Sequence, residues 1–206
     1  RSDFLQDLLS PLFPLVMKGV VQLKTFGETG FHCLAAARVA DRYPREAFAA
    51  GLRILGEGQL SLTKFLLVTD GSLDVAHFPR LWQHILERIQ WDRDLFVFAN
   101  VSQDTLDYTG PSVNKGSKAM MLGLGQAKCR DLPEEFSGSL PEQCTRPRVY
   151  LPGTLVVQGT SYVSAPALAA ELARFPGVAA WPVILLVDST ERSEERRVGK
   201  ECRSRW

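Results

Sequence analysis

Lys64–Ala99 reads KFLLVTDGSLDVAHFPRLWQHILERIQWDRDLFVFA, and this stretch decides the fold class. Its first part, Lys64–Thr69, is a short apolar run with the make-up of a buried strand, closed by Asp70. Phe78, Leu81, Trp82, Ile85, Leu86 and Ile89 then fall at i, i+3, i+4, i+7, i+8 and i+11, while Arg80, Gln83, Glu87 and Arg88 take the other faces. That spacing predicts a helix with one apolar stripe, and it makes Trp82 a core residue. Leu95–Ala99 is a second apolar run of strand length. A strand, a helix and a strand in this order imply a right-handed crossover on a mostly parallel sheet.

Working outward, the same alternation continues on both sides. Asp3–Val16 carries apolar Leu5, Leu8, Leu9 and Leu12 at helical spacing, with an end marked by Pro14. Val20–Phe26 and His32–Val39 read as strands joined by the turn Gly27–Gly30. Pro44 stands at the start of a helix in which Phe48, Leu52 and Leu55 recur, and Gly56 and Gly58 stop it. Beyond the centre, strand Thr154–Gln158, a helix over about Ala167–Arg174 and strand Val183–Val187 make a second strand–helix–strand unit. Between the two lies Gln126–Gly153, rich in proline, glycine and charge. A connection of that length in a compact domain usually serves as a partner surface or a flap. The fold class is therefore α/β, a mostly parallel or mixed sheet flanked by helices, in one domain over residues 1–190.

Composition narrows the function classes. The 206 residues carry 24 Lys and Arg against 23 Asp and Glu, a formal net charge of +1. Much of the basic character lies at the end: Arg192–Trp206 reads RSEERRVGKECRSRW, which matches the translation of common short-read sequencing adapters, so residues 191–206 are set aside as a non-native tail. Without the six basic and three acidic residues of Arg192–Trp206, 18 basic face 20 acidic side chains, and nothing draws the body to a nucleic-acid backbone. The longest apolar stretch, Leu5–Val16, is interrupted by Gln6, Asp7 and prolines and falls short of the roughly 20 residues a membrane helix requires. Since the first residue is Arg1 and a helix begins almost at once, the chain is expected to be a truncated piece of a longer protein.

Cysteine usage points to a reducing compartment, and the expected location is the cytoplasm. Cys33, Cys129 and Cys144 remain once Cys202 is set aside with the tail, an odd number with no close pair. His77 and His84 lie seven residues apart on one helix, about 10 Å along its axis, too far to share a metal, and they are expected on a solvated face. His32 beside Cys33 belongs to a strand start, because no partner acid or base is identifiable. Ligands of open α/β sheets collect beyond the carboxyl ends of strands, which selects Asp70–Asp74 and the segment after Leu95–Ala99. Asp74 is expected to cap the following helix, and Asp104 and Asp107 to close turns.

The second of those segments runs into Asp107–Gly125, DYTGPSVNKGSKAMMLGLG. Its glycines can let backbone N–H groups converge on an anion, with Lys115 or Lys118 supplying a point charge. Gly110 followed by four residues and then Lys115, Gly116 and Ser117 is close to a phosphate-binding P-loop. The order is wrong, however: Lys and Gly are transposed, and Ala119–Leu122 do not read as a helix start, so a nucleotide triphosphatase is disfavoured.

Taken together, GETGFHCLAAARV (27–39), ILGEGQLSLTKFLLVTD (54–70), LFVFANVSQDTLDYTGP (95–111) and NKGSKAMMLG (114–123) resemble the carboxy-terminal part of the UbiD-type decarboxylases. The likeness spans nearly all of Leu5–Gly125, and its details are most similar to the menaquinone-biosynthesis branch. The resemblance implies an enzyme that reversibly removes CO2 from an aromatic or α,β-unsaturated carboxylic acid, using prenylated FMN. It also implies a divalent metal (Mn) and K at the flavin phosphate, a homo-oligomer, and peripheral membrane association only if the substrate is prenylated. The family's glutamate, arginine, glutamate set and its cation ligands lie on a flavin-reductase-like barrel that this chain lacks, so no catalytic residue and no metal ligand is assigned.

One residue carries over. Lys118, in Gly116–Lys118, matches the family lysine that reaches the cofactor phosphate from the carboxy-terminal domain, in keeping with a lysine's use as a point charge. Lys115 is read as solvated, and Gly116 and Ser117 as shaping a turn. Met120, Met121 and Leu122 border the substrate pocket or, the reading apolar residues favour, belong to the core. Glu28, Arg38 and Glu57 are rejected as replacements for the absent catalytic set. The competing readings are a non-catalytic oligomerisation or docking module, motivated by Gln126–Gly153, and a nucleotide-binding α/β protein, which the transposed loop weakens.

Overall fold

The computed structural model describes residues 12–29, 33–105, 107 and 112–188. Most of the Asp3–Val16 helix, His32, Gly110 and the 191–206 tail lie outside them. The domain expected over 1–190 comprises two compact units, Arg1–Arg130 and Asp131–Trp206. Each unit has its own sheet and its own core.

The first unit opens with α1 (Phe13–Val16), then β1 (Val20–Thr25) and β2 (Leu34–Val39), an antiparallel pair as their joining turn suggests. Helix α2 (Glu46–Gly56) leads through a 3-10 turn at Gly58–Leu62 to β3 (Phe65–Thr69). Helix α3 (Phe78–Arg88) and the short α4 (Trp91–Asp94) lead to β4 (Leu95–Ser102), and β5 (Lys115–Gly123) completes a five-stranded sheet of order β1-β2-β3-β5-β4. Strands β2, β3 and β5 run parallel, while β4 runs antiparallel to β5 at the edge.

Alternation along these strands separates two apolar layers. Ala35, Leu66 and Met120 stand side by side in register, as do Ala37, Val68 and Leu122, and both rows pack against Ala47, Ala50 and Ile54 of α2. Ala36 and Leu67 point the other way, into a layer with Leu81 and Ile85 of α3, Ile89 just past its end, and half-buried Trp82. The periodicity of Phe78–Ile89 thus gives the observed buried face. In α2 the buried stripe is Ala47, Ala50, Gly51, Ile54 and Leu55, and Leu52 is 42 % exposed. Small residues let that helix approach the sheet, a pattern that large apolar side chains alone did not mark.

Two further expectations are corrected. Asp74 does not cap α3: His77 does, its Nδ1 accepting from Arg80 N at 3.4 Å, while Asp74 accepts from Ala76 N at 3.0 Å and from Gln22 Nε2 at 2.7 Å. His84 does not lie on a solvated face; it is half-buried, with Nε2 2.9 Å from Thr69 Oγ1.

The second unit holds β6 (Cys144–Leu151), β7 (Thr154–Gly159), α5 (Leu168–Arg174) and β8 (Val183–Val187), in a sheet of order β6-β7-β8. β7 and β8 are parallel, as the second strand–helix–strand pattern predicts. Leu155, Val157, Leu168, Leu172 and Trp181 form the core. Strand β6 lies inside Gln126–Gly153, a connection in which the sequence marks no strand. Its bulged pairing with β7 and exposed Thr145–Arg148 explain why: Pro147 and two arginines are tolerated on an edge strand.

Candidate functional site

Lys118 lies in β5 rather than in a loop, and this is the main correction to the reading of Asp107–Gly125. Lys115–Gly123 is a strand paired with β3 on one side and β4 on the other. Lys118 shares a face with Met120 and Leu122, and both of those are fully buried core, as apolar residues there suggest. Lys115, by contrast, is exposed at the strand's start.

The parallel strands place three residues along one edge. Cys33 immediately precedes β2, Lys64 precedes β3, and Lys118 is the neighbour of Ala119, whose N–H donates to Lys64 O at 2.8 Å. Because β4 is antiparallel, its carboxyl end delivers Gln103, Asp104 and Asp107 to this same, amino-terminal edge. Asp70–Asp74 follows the carboxyl end of β3. The two regions selected from the sequence therefore sit at opposite ends of the sheet.

At the amino-terminal edge Lys118 is only 6 % exposed, and its Nζ donates to the backbone carbonyl of Ser61 in the 3-10 turn. An ammonium has three N–H donors, and Ser61 O is the acceptor found for it among the described residues. Burial lowers its pKa from the ordinary 10.5 by penalising the charged form. Lys64 Nζ pairs with Asp107 Oδ2 at 2.7 Å, with both side chains largely buried. Asp107 also closes a turn, its N–H donating to Asp104 O at 3.0 Å. Partial burial, then the Asp107 carboxylate, raises the Cys33 thiol above its ordinary 9.0, with Lys64 pulling the other way. A thiol so placed is protonated at neutral pH and is a poor nucleophile.

Gln103 was not identified from the sequence. It is 5 % exposed, its Nε2 donates to Ser117 O at 3.0 Å, and its Oε1 is buried with no donor among the described residues. No sequence signal singles it out, although Gly116, which it covers, belongs to the glycine-rich segment that drew attention.

The carboxyl-terminal edge is occupied by structural contacts. Asp70 Oδ2 accepts from Gly125 N at 2.9 Å, and Arg38 Nη1 donates to Ser72 O at 3.2 Å. An open cleft of about 630 Å³ follows, lined by Glu87, Arg88, Gly125, Gln126, Ala127 and Arg130. Glu57 pairs with Arg53 at 2.7 Å and Glu28 is exposed on a 3-10 turn. Among the described residues no three His, Cys, Asp or Glu side chains gather as a metal site would require.

Fold and site together define a mixed α/β domain that presents a buried lysine at the amino-terminal edge of its sheet. Residues 3–123 match the family model described as 3-octaprenyl-4-hydroxybenzoate carboxy-lyase C-terminal domain. The chain belongs to this family, the UbiD-type carboxy-lyases. A protein of Chlamydia pneumoniae named as a subunit of 4-hydroxybenzoate decarboxylase is 49 % identical over 185 residues, covering 90 % of this chain and 31 % of the relative. An uncharacterized protein of Chlamydia caviae is 50 % identical over 186 residues, covering 90 % and 31 %. The chain thus spans about a third of the length of these relatives.

Among solved structures, the fold is shared with the UbiD-class enzyme HmfF from Pelotomaculum thermopropionicum, in complex with FMN. That match has a TM-score of 0.51 and 16 % identity, covering 72 % of this chain and 30 % of the other. Vanillic acid decarboxylase of Sedimentibacter hydroxybenzoicus gives 0.52 and 17 %, covering 65 % and 28 %. The expected mixed sheet flanked by helices agrees with both.

Proposed function

We propose that this chain is the carboxy-terminal part of a prenylated-FMN-dependent carboxy-lyase and that Lys118 contacts the cofactor's phosphate. The parent enzyme decarboxylates an aromatic or α,β-unsaturated acid, in the menaquinone branch of quinone biosynthesis, in the cytoplasm and as a homo-oligomer. The observation that carries the reading is the buried ammonium of Lys118, for which Ser61 O is the acceptor found among the described residues. A phosphate oxygen fits it, since an anion both accepts the remaining N–H bonds and offsets the cost of burying the charge.

The bound flavin supplies the electron sink for loss of CO2. The contribution of this chain is to anchor and orient. Lys118 holds one end of the cofactor from a strand paired on both sides, and the Lys64–Asp107 pair fixes the segment after β4 beside it. The Mn and K of the intact enzyme find no three-residue acidic, His or Cys set among the described residues, and their ligands are assigned to the remainder of the parent protein. On this reading the chain needs the remainder of the parent enzyme for activity.

The test is cofactor retention by the parent enzyme carrying Lys118→Ala. Removal of a charge-assisted hydrogen bond is expected to weaken retention about 10- to 100-fold. Unchanged retention would refute the contact.

A second reading, a non-catalytic oligomerisation module, is favoured by the separate 131–206 unit, on which Tyr162 is 76 % and Val163 91 % exposed. Sedimentation of the chain decides it: a monomer at high concentration rules it out.

A further inference from the structure

We propose that Gln103 is a positioning residue for Lys118, seated where Gly116 has no side chain. A β-carbon at position 116 would stand 2.0 Å from Gln103 Oε1, 2.1 Å from Cδ and 2.4 Å from Nε2. The carboxamide therefore lies on the α-carbon of residue 116, in space that any other amino acid would fill. From there Nε2 reaches Ser117 O at 3.0 Å, and the backbone N–H of Gln103 donates to Asn114 O at 3.2 Å.

The carbonyl it holds is the one that matters for Lys118. Between β4 and β5 the register slips from Phe98↔Lys118 to Val101↔Gly116, so Ala99 and Asn100 oppose Ser117 alone. Asn100 takes φ 56°, a left-handed conformation that asparagine adopts more readily than most residues. Ser117 consequently has no partner in the β4 register, and Gln103 supplies a donor to its carbonyl. That carbonyl belongs to the peptide plane joining Ser117 to Lys118. Fixing the plane fixes the direction in which the lysine stem leaves the strand.

Oε1 has no donor among the described residues, which argues that this seat is not simply the most stable arrangement. A buried acceptor without a donor is costly, and an apolar side chain of similar size would avoid the cost. The seat is retained, on this view, because it aims Lys118. The positional claim stands on residues 103, 116 and 117, while its link to an anion rests on the reading of Lys118 given above.

The experiment is an NMR titration of the lysine side-chain 13Cε and 15Nζ signals in the full chain, with Lys118 assigned by Lys118→Arg. Gln103→Ala, Gly116→Ala, the double variant and Ile85→Val, a core change on the opposite sheet face, are compared with the parent sequence. In Gln103→Ala the Lys118 midpoint is expected to move up toward that of a solvated lysine, with Ile85→Val leaving it in place. Gly116→Ala should disturb the signal by evicting the carboxamide, and should have no added effect once Gln103 is alanine. A folded Gln103→Ala protein with an unmoved Lys118 signal overturns the proposal. If Gly116→Ala fails to fold, the double variant decides: a folded double variant supports the seat, and an unfolded one overturns it. Inorganic phosphate is then added to the parent sequence. A Lys118 signal that ignores it removes the phosphate reading, and Gln103→Ala still decides the positioning role.

Discussion

The sulfur of Met120 occupies the place where a side chain at position 51 would begin, 2.2 Å from a β-carbon built on Gly51. Gly51 lies in the middle of α2, where glycine is about 1 kcal/mol worse than alanine on propensity alone. The glycine persists because the helix and strand β5 meet there. Gly51→Ala should lower stability by about 1–2 kcal/mol despite the propensity gain. Gly56→Ala, at the end of the same helix with nothing within 4 Å, should be neutral or stabilising. Chemical denaturation of the two variants checks the contrast.

Gly123 faces a harder obstacle. A β-carbon there would stand 2.6 Å from Ile85 Cδ1 and 2.8 Å from its Cα, so backbone as well as side chain blocks it. Gly123→Ala must push α3 off the sheet, and a loss of about 3 kcal/mol is expected, read as a lowered denaturation midpoint. A loss smaller than that of Gly51→Ala would contradict the close approach of α3 to β5.

Acid should weaken the fold in two steps. Burial lowers the His84 pKa from its ordinary 6.5, so as pH falls below that value the unfolded state takes up a proton before the folded state does. Stability contributed by neutral His84 is therefore present above about 6.5 and is lost as pH falls toward the folded value. Glu46 acts lower down. Its hydrogen bonds from Arg42 hold it below the ordinary 4.5, so its contribution is present above 4.5 and disappears as pH falls through the folded value. Denaturation curves at stepped pH should show the first slope vanish in His84→Gln and the second in Glu46→Gln.

Lys118→Met should separate stability from binding. Methionine keeps the stem and removes a buried charge, so the chain without cofactor is expected to gain about 1 kcal/mol in thermal or chemical denaturation. The same substitution should abolish any response to phosphate. A destabilised Lys118→Met protein would mean that the bond to Ser61 O outweighs the burial of the ammonium.

Legibility from sequence followed the strength of periodicity. Phe78–Ile89 repeats every three to four residues over the whole helix, and the structure buries Leu81, Ile85 and Leu86 of it. β3 and β8, both continuous apolar runs, were equally readable. β5 was not, because Lys115–Lys118 puts charge and glycine where a central strand normally shows neither, and the sense of a loop prevailed. β6 was hidden by Pro147 and its flanking arginines. For the site, Lys118 was reachable through family likeness, but its burial depends on the Gly58–Leu62 turn packing over it. Gln103 depends on the bulge at Ala99 and Asn100 in a neighbouring strand, a tertiary arrangement with no local signature.

The placement of Lys118 within a strand bordered by β3 and β4 has a mechanical consequence. Residues on loops can adjust to a ligand by moving their backbone, but here the backbone is clamped from both flanks. The lysine is a fixed post whose only freedom is its four-carbon stem. On the proposed reading of Lys118, any closing motion around a phosphate must then be made by elements that come to the post, and the tolerance for ligand size is set by the reach of one side chain.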